Sequence, residues 1–148
     1  MLVHAPAAKV WELVSDIQLP ARFSTEFQGA DWLDSPGEGA RFVGRSKHKA
    51  FGEWQTTCTI TDYDPDHVFA WRVGTEDEPS ARWRYSLDTS GDSTLLTYWM
   101  RMGPGWSGLC VAIERMPDKE SRIIARRLEE MRTNMTATIA GIRELAES

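Results

Sequence analysis

Ala81-Arg82-Trp83-Arg84-Tyr85-Ser86-Leu87 alternates apolar and polar residues without a break. A strand through it therefore presents Ala81, Trp83, Tyr85 and Leu87 on one face and Arg82 and Arg84 on the other. Its neighbours repeat the pattern. Phe69, Trp71 and Val73 share a face against Ala70 and Arg72, while Leu96, Tyr98, Met100 and Met102 oppose Thr97 and Arg101. Further back, Trp54, Cys58 and Ile60 share one face of Trp54-Gln55-Thr56-Thr57-Cys58-Thr59-Ile60. Turn residues punctuate these runs at Asp34 to Gly37, Phe51-Gly52, Asp62 to Asp66, Glu76 to Ser80 and Ser90-Gly91-Asp92. Connections this short predict an antiparallel meander from about Phe27 to Met102, aromatic on one face and polar on the other.

An aromatic sheet face needs a cover, and the C-terminal third supplies it. From Asp118 to about Glu147, Ile124, Leu128, Met131, Met135, Ile139 and Ile142 recur at helical spacing, an apolar stripe on one long helix. Pro117 precedes Asp118, whose carboxylate is placed to cap the first N–H groups. Arg122, Arg126, Glu129, Glu130 and Arg132 lie off the stripe, with Arg126 and Glu130 as an i,i+4 pair. Ahead of the sheet, Ala5 to about Phe23 reads as helical. Pro6 suits a first helical position, Ala7, Val10, Trp11 and Val14 form one face, and a second short helix falls around Leu19 to Phe23. The prediction is an α+β fold: a curved antiparallel sheet of about six to seven strands wrapped around a long C-terminal helix, with two short helices near the N-terminus.

The totals agree with one domain over residues 1–148. Hydrophobic residues make up 41% and charged residues 26%, and a chain of this length buries roughly 70% of its unfolded surface. Seven tryptophans require core faces or a cavity, since exposed indoles make a sticky surface. A net charge of −5 argues against nucleic-acid binding, which needs a basic face, and gives no support for docking on anionic membranes. Cys58 and Cys110 lack metal-site spacing and read as half-buried thiols of a reducing cytoplasm. No apolar run approaches the ~20 residues that span a bilayer, and Met1-Leu2-Val3-His4 carries no leader signature, so a cytoplasmic location is expected.

The chain resembles the polyketide cyclase/dehydrase-like branch of the SRPBCC superfamily, to which START domains and the birch-pollen-allergen fold belong. The residues that carry the resemblance are Ala5 to Trp11, Gly39 to Arg45, Trp54 to Ile60, Pro65 to Gly74 and Trp83 to Leu87. Together in this order they are specific for the fold, called helix-grip, and not for an activity. The resemblance implies a ligand cavity between the concave sheet face and the long helix. It also implies a first strand longer than Met1–His4 permits, so either this edge strand is short or the start is clipped. A weakened edge invites a second chain, which makes a homodimer an expectation.

The aromatic set Trp54, Trp71, Trp83, Tyr85 and Tyr98, with Met100, Leu128, Met131 and Met135, is the expected ligand-binding surface. Buried phenols need partners, so Tyr85 and Tyr98 are placed to hold a ligand carbonyl. The catalytic group, if there is one, is not fixed by the sequence. Tyr85, Tyr98 and His48 are its candidates. His48 has the parity of Phe42, Gly44 and Ser46, yet Lys47 and Lys49 beside it suggest a solvated hairpin end. His67 follows Asp66 in a turn and reads as a surface residue, while His4 is uninformative. Arg45, Arg72, Arg84 and Arg101 read as a solvated convex face, with Glu53 a further possible base. No phosphate loop, HExxH, CxxC or GxSxG motif occurs, and neither does the Rieske pattern of the superfamily's oxygenases, so neither cofactor nor metal is expected. Three functions follow: binding of a small hydrophobic ligand of polyketide-like, aromatic or lipid type; a cyclase or dehydratase using pocket Tyr or His; or a protein-interaction module of the chaperone-ATPase-activator kind.

Overall fold

The computed structural model describes residues 1–105 and 108–148. Strands β1 (Leu2–Val3), β2 (Phe27–Trp32), β3 (Arg41–His48), β4 (Gly52–Asp64), β5 (Val68–Gly74), β6 (Pro79–Ser90) and β7 (Ser93–Met102) form one antiparallel sheet in the order β1-β7-β6-β5-β4-β3-β2. Helix α1 (Ala7–Val14) and a 3₁₀ turn (Leu19–Arg22) lie between β1 and β2. Helix α2 (Gly108–Arg115), a 3₁₀ turn (Pro117–Lys119) and the 28-residue α3 (Glu120–Glu147) follow β7. The α+β architecture expected from the alternation, a curved sheet with a long C-terminal helix, is the one observed, and it is the helix-grip form that the resemblance implies.

Register turns the period-two pattern into a continuous wall. Trp71 stands opposite Trp83, Phe69 opposite Tyr85, Tyr85 opposite Tyr98 and Leu87 opposite Leu96. The pairing of β4 with β5 shifts between Ile60 and Asp62, a bulge of the kind that bends a strand. One end of the space inside the sheet is filled: Val3, Val10, Ile60, Phe69, Leu96 and Ile142 are all almost fully buried there. α1 joins this core through Val10, Trp11 and Val14, and the Trp11 ring meets Tyr63 and Phe69 edge-on at 5.3 and 6.0 Å. α3 approaches α1 and the 3₁₀ turn closely because residue 141 is glycine. A Cβ there would lie 2.3 Å from the Phe23 ring.

Four expectations are corrected. α3 begins at Glu120, and Asp118 lies inside the preceding 3₁₀ turn, where it makes no side-chain cap. α2 is an additional helix, in a stretch between β7 and the long helix for which no helix was expected. The face of α3 is rotated from the expected stripe: Arg127, Thr138 and Ile142 are buried, whereas Leu128 is 43% exposed. Not all seven tryptophans lie on core faces or in a cavity: Trp99, on the Thr97 and Arg101 side of β7, is 38% exposed, with the Arg84 guanidinium over its ring at 4.9 Å. Among the described residues no helix is long and apolar enough to cross a membrane.

Candidate functional site

At the end of the sheet that side chains leave unfilled, a cavity of about 410 Å³ lies between the concave face and α3. Its aromatic wall follows from the register. Trp71 and Trp83 lie almost parallel, 9° apart with centroids at 6.1 Å. The wall continues through Trp83 and Tyr98 at 5.7 Å to Tyr85 and Tyr98, which stack at 4.1 Å. Phe42, Trp54 and Phe69 extend it across β3, β4 and β5, and Met131 and Met135 of α3 face it from the other side. Offset and tilted rings at these separations attract one another beyond their area alone, so the rings of the wall support one another.

Tyr85 is the polar exception within this wall. The residue is 1% exposed, and its buried hydroxyl makes no hydrogen bond of normal geometry among the described residues, although the Tyr98 phenol stands close enough to act on it. Burial, reinforced by the adjacent Tyr98 phenol, holds its pKa well above the ordinary tyrosine value. Burial likewise raises that of Tyr98. Both phenols stay neutral and keep a proton to donate. Cys58 also lines the cavity, and burial pushes its thiol up to about 11, which makes it an inert wall group and not a nucleophile.

The opposite end is charged. Arg127 of α3 donates from Nη1 and Nη2 to the two oxygens of Glu26, at 2.5 and 2.6 Å, and both residues line the cavity. Burial alone would lower the Arg127 pKa. The Glu26 carboxylate outweighs it, and the net shift is upward. The guanidinium lies over the Phe51 ring at 5.3 Å and reaches Glu130 at 3.6 Å. Glu130 in turn accepts from His48 Nε2 at 2.8 Å. The Ala50 N–H donates to His48 Nδ1, which fixes the proton on Nε2. For Glu130, burial raises the pKa, but the His48 hydrogen bond and the nearby guanidinium bring it below the ordinary value. Asn134 is held by the Thr25 N–H and hydroxyl at 3.2 and 3.3 Å.

Of the nine residues expected to bind ligand, Trp54, Trp71, Trp83, Tyr85, Tyr98, Met131 and Met135 line this cavity. Met100 and Leu128 do not. They line a second, more open space of about 240 Å³ between β7 and α3, where Tyr98, Met131 and Met135 are again wall residues. His48 faces Glu130 and stacks on Phe51 at 4.5 Å. Its side chain is only 14% exposed, so the solvated hairpin end is overturned by a partner far along the chain. Glu53 is exposed beside Lys47, and His67 is exposed in its turn. Arg45, Arg72, Arg84 and Arg101 alternate with the cavity-facing residues and point away from them. The sequence reading missed Glu26, Arg127 and Phe51. The one available signal was position: Arg127 precedes Met131 by four residues and Asn134 by seven, on the cavity side of the helix.

Comparison with known proteins agrees with this geometry. The family described as "Polyketide cyclase / dehydrase and lipid transport" matches over residues 1–136. Among solved structures, a polyketide-cyclase-like protein of Corynebacterium glutamicum is 25% identical, with a TM-score of 0.65 over 97% of this chain and 85% of that one. The Zhui aromatase/cyclase of Streptomyces sp. R1128 is 18% identical, with a TM-score of 0.68 over 99% and 90%. The di-domain ARO/CYC protein BexL from the BE-7585A biosynthetic pathway is 16% identical, with a TM-score of 0.71 over 100% of this chain and 48% of its own. No curated protein matches. The chain belongs to the polyketide cyclase/dehydrase and lipid-transport family.

Proposed function

We propose that this family member binds a small, largely apolar ligand of aromatic, polyketide-like or lipid type in the cavity between sheet and α3. The observation that carries the reading is a cavity of about 410 Å³ whose apolar wall contains, among the described residues, a buried Tyr85 hydroxyl with no hydrogen bond of normal geometry. The volume falls within the ~300–1,000 Å³ of small-molecule sites. A ligand carbonyl placed against Tyr85 would accept the hydrogen bond that no described side chain supplies, which orients a flat ligand along Trp71 and Trp83. The open space favours this reading over an interaction module with a collapsed core. The same arrangement supports a carrier: the wall is formed in advance, and binding needs no chemistry.

A second reading, a cyclase or dehydratase, is favoured by the pairing of a neutral phenol with a charged end in one cavity. Tyr85 would polarise a carbonyl, and Glu26 or Asp16, the carboxylates that line the cavity, would take a proton from an adjacent carbon. His48 does not line the cavity, so it acts in this reading through Glu130 and Arg127.

Native mass spectrometry of the purified protein, followed by a thermal-shift screen against aromatic polyketides, fatty acids and sterols, tests both. A bound mass or a shift of several degrees supports the binding reading. Turnover of the bound compound, lost in Tyr85→Phe, selects the enzyme. No bound mass and no shift with any class overturns the proposal.

A further inference from the structure

We infer that the convex face of β5, β6 and β7 docks a partner protein that presents an acidic helix. The register places Arg72 opposite Arg82 and Arg82 opposite Arg101, three guanidinium groups in one row across three strands. Arg84 stands next to Arg82 on the same face, opposite Trp99 and over its exposed ring.

The contrast with the other arginines of the sheet identifies this row as unusual. Arg41 is bound to Asp34 at 3.1 Å and Arg45 to Asp31. Among the described residues, no carboxylate lies in ion-pair contact with Arg72, Arg82, Arg84 or Arg101, and the buried Nε of Arg72 has no acceptor. Asp62 shares a row with Arg84, but Ala70 of β5 stands between them. Like charges directly opposite on adjacent strands repel. In a chain of net charge −5, four such groups together form a local cationic block that the protein does not neutralise itself.

The shape of the block selects the partner. Adjacent strands are ~4.8 Å apart, so the row sets its charges at about that interval. Carboxylates one turn apart on a helix repeat every ~5.4 Å, a close match for a helix lying across the strands. A lipid surface would call for apolar anchors among the arginines. Trp99 carries the Arg84 guanidinium on its half-exposed ring, and the other exposed apolar residues of this face, Leu95 and its β1 partner Leu2, stand beside Asp88, away from the arginine row. The face points away from the cavity, so a docked partner leaves the cavity free.

The test is fluorescence anisotropy with a labelled helical peptide of about 18 residues, long enough to hold a helix, with Glu at every fourth position, and its Gln counterpart. Binding to the Glu peptide in salt of about 0.02 M, its loss at about 0.3 M and no binding of the Gln peptide are expected. The Arg82→Gln/Arg101→Gln double variant should weaken binding roughly tenfold. Arg122→Gln/Arg143→Gln, the same charge change on exposed positions of α3, should leave it unaltered. Thermal melting of both variants checks that they are folded. Absence of binding at low salt, equal loss in the α3 variant, or tighter binding to vesicles of about 30% phosphatidylserine or to a single-stranded oligonucleotide would overturn the inference.

Discussion

Arg127 and Glu26, 101 residues apart in the chain, meet through two parallel hydrogen bonds of 2.5 and 2.6 Å at the charged end of the cavity. This bidentate contact ties α3 to the segment that leads into β2, so one ion pair both closes the cavity end and fixes the distance of the helix from the sheet. Removing one member leaves the other buried and unpaired. Arg127→Met or Glu26→Gln should destabilise the fold by about 3 kcal/mol, whereas Arg127→Met/Glu26→Leu together should recover much of the loss. Urea denaturation of the three variants measures this, and equal losses in single and double variants would contradict it.

The Tyr85 hydroxyl behaves in the opposite way. It satisfies no partner in the described residues, so Tyr85→Phe should leave stability unchanged or slightly raised. The same variant should lose about 1 kcal/mol of affinity for a carbonyl-bearing ligand, roughly fivefold, and almost none for its deoxygenated analogue. Calorimetry with the matched pair of ligands separates the two terms.

The stacked tyrosines make stability depend on alkaline pH. Their folded pKa values lie above the ordinary value of 10.0, so above pH 10.0 the unfolded chain releases protons that the folded chain retains. Stability is therefore complete below that value and falls as pH rises beyond it. Tyrosinate absorbance should show two of the three tyrosines resisting ionisation until the fold is lost, and Tyr85→Phe should shift alkaline unfolding to higher pH.

Gly141→Ala should destabilise the protein by about 1–3 kcal/mol through overpacking, despite alanine's higher helix propensity of ~1 kcal/mol. The new Cβ would lie 2.3 Å from the Phe23 ring. In a Phe23→Leu background the cost should largely disappear, and thermal melting of the four combinations gives the coupling directly.

The strands and the aromatic wall were legible because period two is fixed by backbone geometry. Once Trp83 and Tyr85 share a face, Trp71 and Tyr98 join them for any register that keeps the apolar sides together. α3 was legible as a helix but not in its rotation. Arg127 and Leu128 are adjacent, and an apolar count assigns the inward place to the leucine. Glu26 reverses that assignment, since a buried guanidinium with two strong hydrogen bonds displaces Leu128 to the edge of the stripe. His48 was misread for the same reason. Two flanking lysines are a local signal, and Glu130 on α3 is not. α2 was missed because it is only eight residues long and follows Gly103-Pro104-Gly105, a turn-forming run.

Tyr98, Met131 and Met135 line both the inner cavity and the outer space beside β7. Only one layer of side chains separates the two, and two of its three members are unbranched thioethers that change rotamer at little cost. The ceiling on ligand length is therefore set by χ angles and not by the backbone. If the proposed ligand is too long for the inner chamber, this layer is where its tail would pass toward β7 with the aromatic wall unmoved.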